Sequence, residues 1–474
     1  MQYYEQEEKM TYLDAFKRTH EVNVALANFS ELQSNKSKIS IAGRIMSKRT
    51  MGGVIFLDIQ DSSGRMQCFC SKKGLAEGNF IDLKKNLKIG DIVGITGFVF
   101  VTQTNEKTVN AEKFQILSVS VKNLPEKFHG LSDIETCYRK RYLDLIMNIE
   151  TRNVFKKRFK ILEKIRDFLA KEGFVEVETP IFQNNPCGAS ANPFKTHHNA
   201  MNLDMYLRIS PETFLKRLIV GGMEKIFEIG KNFRNEGIDP SHLQEFTMLE
   251  CYVAYWNYQD NMIFTQRLLR EVISKTIDTL QIEHKGIILD FEKEWTVIDY
   301  RELVLRDSGI DVLAYNNSLD FEKEIQNKKI DLGDIRNISL GNMIDKLYKK
   351  YSRPSLIQPT ILVHHPASLI PLARLNINDS RVVDSFQIIV NGWEIVKAYS
   401  ELADPVLQRR LLEDQAKLRE SGDDEAMFLD EDFLESLEYG MPPVSGFGLG
   451  IDRLVAIITN QKNLRDVVLF PMMK

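Results

Sequence analysis

Phe233-Arg234-Asn235-Glu236, followed by His242, Phe246 and Glu250, is the stretch that decides how this chain is read. Two runs, roughly 228–236 and 246–254, flank a polar loop carrying Gly237, Asp239, Pro240 and Ser241, the pattern of two short strands joined by a loop. Strand side chains alternate between faces. Arg234 and Glu236 therefore share one face of the first strand, and Phe246, Met248, Glu250 and Tyr252 share one face of the second. A hairpin that turns an arginine, two carboxylates and two aromatic rings toward one cleft suits a ligand with a phosphate, a flat base and a positive charge.

Working outward, Gly446-Phe447-Gly448-Leu449-Gly450-Ile451-Asp452-Arg453 puts three glycines on one strand face. That leaves a bare surface where a nucleotide can approach the backbone. Upstream, Phe155, Phe159, Leu162, Ile165 and Leu169 recur at helical spacing, Gly173 is placed to cap that helix, and Phe174–Pro180 alternates like a strand that Pro180 ends.

At 474 residues, two or more domains are expected. Hydrophobic content of 43% and charged content of 27% belong to an ordinary globular protein. No apolar run is long enough to span a bilayer, and the polar, frayed start Met1–Lys9 is no signal peptide, so a cytoplasmic location is expected. The five cysteines lack metal spacing, and reduced thiols are expected. A net charge of −4 does not itself favour nucleic acid. Contacts with it would use local patches such as Arg139-Lys140-Arg141 or Lys156-Lys157-Arg158, each of which also reads as a solvated face.

The chain divides into a short N-terminal segment, 1–37, a barrel at 38–122, a linker at 123–148 and a mixed domain at 149–474. Ile39–Met46, Val54–Ile59, Met66–Ser71, Ile92–Thr102 and Lys107–Ser118 read as five short strands, with a helix-like stretch at 73–86. That order fits an OB-fold barrel. Residues 318–352 read as helical and solvent-rich, without a legible role.

Arg234-x-Glu236 with His242 and Phe246 resembles motif 2 of the class II aminoacyl-tRNA synthetases. Gly446–Arg453 resembles motif 3, and 154–180 resembles motif 1. Within the class, the chain from about Leu13 onward is most similar to the bacterial lysyl-tRNA synthetases, with Arg141–Leu145, Gly422–Ala426 and Leu469-Phe470-Pro471 as further matching segments. The resemblance implies an α+β fold, with an N-terminal OB-fold anticodon barrel and a catalytic antiparallel sheet flanked by helices. It implies a homodimer joined through 154–180, with ATP, L-lysine and tRNA(Lys) as substrates and Mg2+ as cofactor.

Activation is then positioning and charge neutralisation, and no residue has to act as a general base. The resemblance assigns the α-phosphate and the lysine carboxylate to Arg234, and the γ-phosphate to Arg453. Glu236 would accept from the adenine amino group, Phe246 would stack on adenine, and His242 would lie near the triphosphate. Gly188, Glu212, Glu250, Tyr252, Lys397, Tyr399 and Glu401 would surround lysine, with Glu212 on its α-ammonium. Glu394 and Glu401 are the implied magnesium ligands. Seven residues apart on a regular strand they point to opposite faces, so a bulge or bend between them is needed. Phe56, Gln67 and Glu106 match the positions used on the anticodon, although Phe56 by itself reads equally as barrel core.

The chain departs from the family pattern in places. Lys397 stands where lysyl enzymes usually carry an asparagine. It can bind the substrate carboxylate as a point charge, or fold across to Glu401 or Glu250 and plug the site. Leu243-Gln244 replaces Asn-Pro, and Cys187 replaces a common glycine. Two alternatives follow: a related ligase of altered amino-acid specificity, or a catalytically impaired tRNA-binding relative. Aspartate or asparagine is disfavoured by the acidic pocket. A paralogue that lysylates a protein such as elongation factor P would lack the barrel.

Overall fold

Alternation of apolar residues closes the N-terminal strands on themselves. In a computed structural model that describes residues 14–75, 77–125, 131–237, 239–335, 338–423 and 425–473, the chain forms two compact units, Met1–Ser132 and Asp133–Lys474. The start at Met1–Lys9 and residue 424 of the Gly422–Ala426 segment lie outside the described residues, as do the side chains of 77–79. Strands β1 (Lys38–Met51), β2 (Val54–Gln60), β3 (Arg65–Ser71), β4 (Ile92–Val101) and β5 (Lys107–Ser118) form a closed barrel in the order β1-β2-β3-β5-β4. Ile39, Ile41, Ile55, Leu57, Ile59, Cys68, Val93, Ile95 and Val109 fill it. Phe56 lies between buried Ile55 and Leu57 and is itself only half-buried, so it faces outward. Its ring is 5.2 Å from that of Phe69, which is 5.8 Å from that of Phe100, making an aromatic row on the barrel exterior.

The second unit is built on an eight-stranded sheet. Its strands are β6 (Val175–Glu176), β7 (Lys225–Phe233), β8 (Glu245–Ala254), β9 (Thr296–Asp299), β10 (Thr360–Val363), β11 (Ser385–Val390), β12 (Trp393–Ser400) and β13 (Val444–Gly450). They lie in the order β9-β10-β11-β12-β13-β8-β7-β6 and run antiparallel except at the two edges, where β6 is parallel to β7 and β9 to β10. One face packs on helices α1 (Ile149–Lys171) and α3 (Tyr258–Ile277); α2 (Glu212–Val220) lies between them in sequence. Leu249, Cys251 and Val253 of β8, Phe447 and Leu449 of β13, and Val396 and Ala398 of β12 enter that core beside Ile165, Phe168, Phe264 and Leu268. Burying each large side chain there contributes about 1.5–3 kcal/mol. Because strand residues alternate, the opposite face receives Met248, Glu250 and Tyr252, the three glycines of β13, and Lys397 and Tyr399. The core thus fixes which residues reach the cleft.

Several expectations need correction. The hairpin strands end at Phe233 and begin at Glu245, so Arg234 and Glu236 lie past the strand end. Only the Arg234 N–H, donating to the Gln244 carbonyl at 2.8 Å, extends the pairing. On α1 the buried face includes Phe155, Arg158, Ile161, Ile165, Phe168 and Leu169, and Phe159 is 53% exposed. The strand expected over Phe174–Pro180 narrows to Val175–Glu176, paired beside β7. The linker contains two short helices, Ile134–Arg139 and Arg141–Met147. In the 318–352 segment, α4 (Leu340–Tyr351) is not solvent-rich, since Met343, Ile344, Leu347 and Tyr348 are buried.

Both basic patches lose an arginine to the interior. Arg141 is buried, pairs with Asp144 at 2.6 Å, and donates to the Leu469 carbonyl at 3.0 Å, which ties two of the matching segments together. Arg158 donates to Asp452 at 2.6 Å and to Thr247 Oγ1 at 3.1 Å, while the Thr247 N–H donates to Asp452 at 2.8 Å. That buried triad joins the three motif segments.

Candidate active site

The sheet face opposite the core forms the floor of a cleft of about 340 Å3. Register fixes the layout. Glu250 of β8 is opposite Gly448 of β13, which is opposite Lys397 of β12; Tyr252, Gly446 and Tyr399 form the next row. The glycines matter because a Cβ at Gly446 would collide with the Tyr252 ring and with Glu401 Oε1 at 2.6 Å, and one at Gly448 would meet Met248 Cε at 2.9 Å.

One end of the cleft is acidic. Glu212 opens α2, and Gly188, at φ +98°, lies so close that a Cβ there would sit 3.0 Å from Glu212 Cβ. Tyr399 Oη donates to both Glu212 oxygens, at 2.7 and 2.8 Å. Glu250 accepts from Ser210 Oγ at 2.9 Å and from Tyr252 Oη at 3.1 Å. Burial, with the Glu212 charge adding to it, pushes the Glu250 carboxyl up to about 7. Burial likewise raises Tyr252 and Tyr399 well above the usual phenol range, so both stay donors.

Lys216 is the member that sequence reasoning missed. It lies one turn along α2 from Glu212, is fully buried, donates to Glu212 at 2.6 Å and forms an ion pair with Glu401. Its Nζ is 5.7 Å from the Tyr399 ring centre and 5.6 Å from that of Phe433. Burial opposes the ammonium, but Glu212 and Glu401 hold it charged. Burial, only partly offset by Lys216, drives the Glu401 carboxyl upward. The i, i+4 relation of Glu212 and Lys216 was the available signal, but that spacing is common on solvated helices.

The other end is cationic. Arg234 stacks over Phe246, its guanidinium carbon 5.1 Å from the ring centre. Arg453, on the first turn of α5 (Ile451–Ile458), donates to the Glu394 carbonyl at 2.9 Å and contacts His242 Nε2 at 3.2 Å. Since arginine only donates, Nε2 accepts, and His242 Nδ1 carries the proton toward Asp239 at 2.7 Å. Gln244 replaces the family proline usefully, because its amide donates to the Glu236 carbonyl at 3.1 Å and holds the loop. Glu236 itself is exposed at the cleft rim. Asn342, Asp345, Tyr348 and Lys349 of α4 also line the cleft. Cys187 is buried beneath Gly188, and burial pushes its thiol up to about 12, which leaves it inert.

The bulge required by the implied metal pair exists: Ile389 pairs with Glu394 and Ile388 with Val396, which leaves Ile395 extra and brings Glu394 onto the Lys397 face. Glu394 and Glu401 both line the cleft, with Lys397 and Tyr399 between them along the strand and Glu401 buried against Lys216. Lys397 does not plug the acidic end, because it has no ion-pair partner among the described residues and Lys216 occupies that position.

In the other unit, Gln67 Oε1 accepts from Thr108 Oγ1 at 2.9 Å, two residues along β3 from Phe69. Glu106 is exposed in the turn before β5. Phe56, Gln67 and the Phe69–Phe100 row share the barrel exterior.

The family described as tRNA synthetases class II (D, K and N) matches residues 133–474, and the OB-fold nucleic acid binding domain matches 39–117. The chain is 44% identical over 463 residues to the lysine–tRNA ligase of Pelotomaculum thermopropionicum, covering 98% of this chain and 91% of that one. It is 42% identical over 462 residues to the enzyme of that name from Pasteurella multocida, covering 97% and 92%. With that of Aquifex aeolicus it shares 42% over 440 residues, covering 93% and 74%. Three motifs on one sheet face, an N-terminal barrel and these matches lead to one conclusion: the chain belongs to the class II tRNA synthetases of the D, K and N group.

Proposed function

We propose that the chain is a lysine–tRNA ligase, which activates L-lysine with ATP as lysyl-adenylate and transfers it to the 3′ end of tRNA(Lys). The observation that carries this reading is the charge of the acidic end. Three buried carboxylates, Glu212, Glu250 and Glu401, face one ammonium, Lys216, and burial with the Glu212 charge pushes the Glu250 and Glu401 carboxyls up. The pocket is short of cations. L-Lysine brings an α-ammonium and an ε-ammonium, which favour the ionised carboxylates. A neutral side chain would leave a buried charge uncompensated, at several kcal/mol, and aspartate would add repulsion.

At the cationic end, Arg234 holds the lysine carboxylate and α-phosphate, and Arg453, braced by His242, holds the γ-phosphate. A carboxylate oxygen bonds to the α-phosphorus as the bond to pyrophosphate breaks; the terminal ribose hydroxyl of tRNA then takes the lysyl group and AMP leaves. Adenine stacks on Phe246, with Glu236 at its amino edge. Mg2+ enters with ATP, and Glu394 and Glu401 are the carboxylates that would hold it. The barrel exterior, with Phe56, Gln67 and Glu106, reads the anticodon. Phe159, Val175, Ile181 and Phe182 are exposed apolar residues that a second copy would cover, which supports a homodimer. Among the described residues no helix is long and apolar enough to cross a membrane, in keeping with a cytoplasmic role. The test is charging of tRNA(Lys) with labelled lysine. Charging with lysine and refusal of aspartate and asparagine is expected; charging with aspartate or asparagine instead would defeat the reading.

A further inference from the structure

Arg158 stands on the buried face of α1, 8% exposed, between Phe155 and Ile161. A methionine would fill that space without the desolvation cost of a guanidinium, so packing alone does not account for it. Its Nη1 donates to Asp452 Oδ1 at 2.6 Å and its Nη2 to Thr247 Oγ1 at 3.1 Å, while Asp452 Oδ2 accepts from the Thr247 N–H at 2.8 Å. These contacts close a ring across α1, β8 and α5. Asp452 is 2% exposed, and both of its oxygens are committed to the ring.

The ring sits where the sheet gives way to a helix. Pairing of β8 with β13 runs from Ala254–Val444 to Met248–Gly450 and stops there, because the chain passes into α5 at Ile451. Thr247 is the next residue along β8, and the Asp452 carboxylate meets its N–H where no strand carbonyl follows. Side chains therefore hold this join, and Arg158 supplies the cation that neutralises it. A lysine would supply one nitrogen and lacks the fork that reaches Asp452 and Thr247 together.

The two joined residues adjoin the two ends of the nucleotide. Thr247 follows Phe246, the adenine surface. Asp452 precedes Arg453, which is held against the Glu394 carbonyl and His242. Resting on the reading of the cleft as an ATP site, we infer that Arg158 is a positioning residue: through Asp452 it fixes the span between Phe246 and Arg453. Arg158 touches no substrate itself. The span matters to ATP, which reaches both ends, and not to AMP, which has no γ-phosphate.

The test compares the binding of ATP with Mg2+ and of AMP by calorimetry, on the full chain without amino acid. Wild-type protein, Arg158→Lys and Arg158→Met/Asp452→Ala are used; the double variant leaves neither member of the ion pair stranded, and thermal melting checks that each is folded. ATP affinity is expected to fall roughly tenfold in both variants, with AMP affinity within about twofold of wild type. In lysine-dependent ATP–pyrophosphate exchange, KM for ATP should rise and KM for lysine stay unchanged. Equal losses for ATP and AMP would make Arg158 purely structural and overturn the proposal, as would wild-type ATP affinity in either folded variant. Folded wild-type protein that binds neither nucleotide would overturn the ATP reading itself, before any variant is compared.

Discussion

At the acidic end of the cleft Glu212 has Tyr399 and Lys216, Glu250 has Ser210 and Tyr252, and Glu401 has the Lys216 ammonium as its ion-pair partner. At the cationic end Arg234 Nε is buried without a hydrogen-bond partner among the described residues, and Lys397 has no ion pair among them. The first end is preorganised around a charge deficit that a dicationic amino acid fills. The second is completed by the nucleotide. Selection therefore resides where the donors are already committed, and chemistry where they are not.

The largest expected break in this contrast comes from Glu401→Gln. It removes the carboxylate that pairs with Lys216 and leaves that ammonium with Glu212 alone. Lysine-dependent ATP–pyrophosphate exchange should fall by roughly 100- to 1000-fold in kcat/KM. Unchanged lysine turnover would remove Glu401 from the lysine site. The next effect is on pH. With Glu250 raised to about 7 in the free cleft, a cation binds its ionised form, so lysine affinity should rise as pH climbs toward 7 and level off above it. KM for lysine should change by up to about tenfold per pH unit below that point. Glu250→Gln should flatten the profile, and a profile that keeps its slope in that variant would place the titrating group elsewhere.

The smallest effect on either end should come from the barrel. Phe56→Ala removes a stacking surface worth about 1–3 kcal/mol, so KM for tRNA should rise severalfold while lysine-dependent exchange stays at the wild-type rate. Equal loss in both assays would mean that Phe56 serves folding rather than tRNA.

Much of this could be read from the chain because period-2 alternation and glycine placement are local signals. The hairpin, the glycine strand and the barrel follow from them. What could not be read depends on tertiary register. The bulge that turns Glu394 onto the cleft face was required by the expected pair, but its place at Ile395 is set by the pairing of β12 with β11. Arg158 and Phe159 are adjacent on α1, and only the position of Asp452 decides that the arginine goes in and the phenylalanine out. Lys216 resembles any lysine on an amphipathic helix until the strand carrying Tyr399 is laid against it. The cleft wall from α4 is not legible in the sequence, because 318–352 reads as helical and solvent-rich and only the fold shows that Met343, Ile344, Leu347 and Tyr348 are buried.

The most direct test of the charge-matched cleft is ATP–pyrophosphate exchange across the twenty amino acids plus norleucine, which keeps the shape of lysine without its ε-ammonium. Exchange with lysine, and none with norleucine, aspartate or asparagine, is the predicted result. Exchange with norleucine comparable to that with lysine would contradict the account, because the acidic end would then have no part in choosing the substrate.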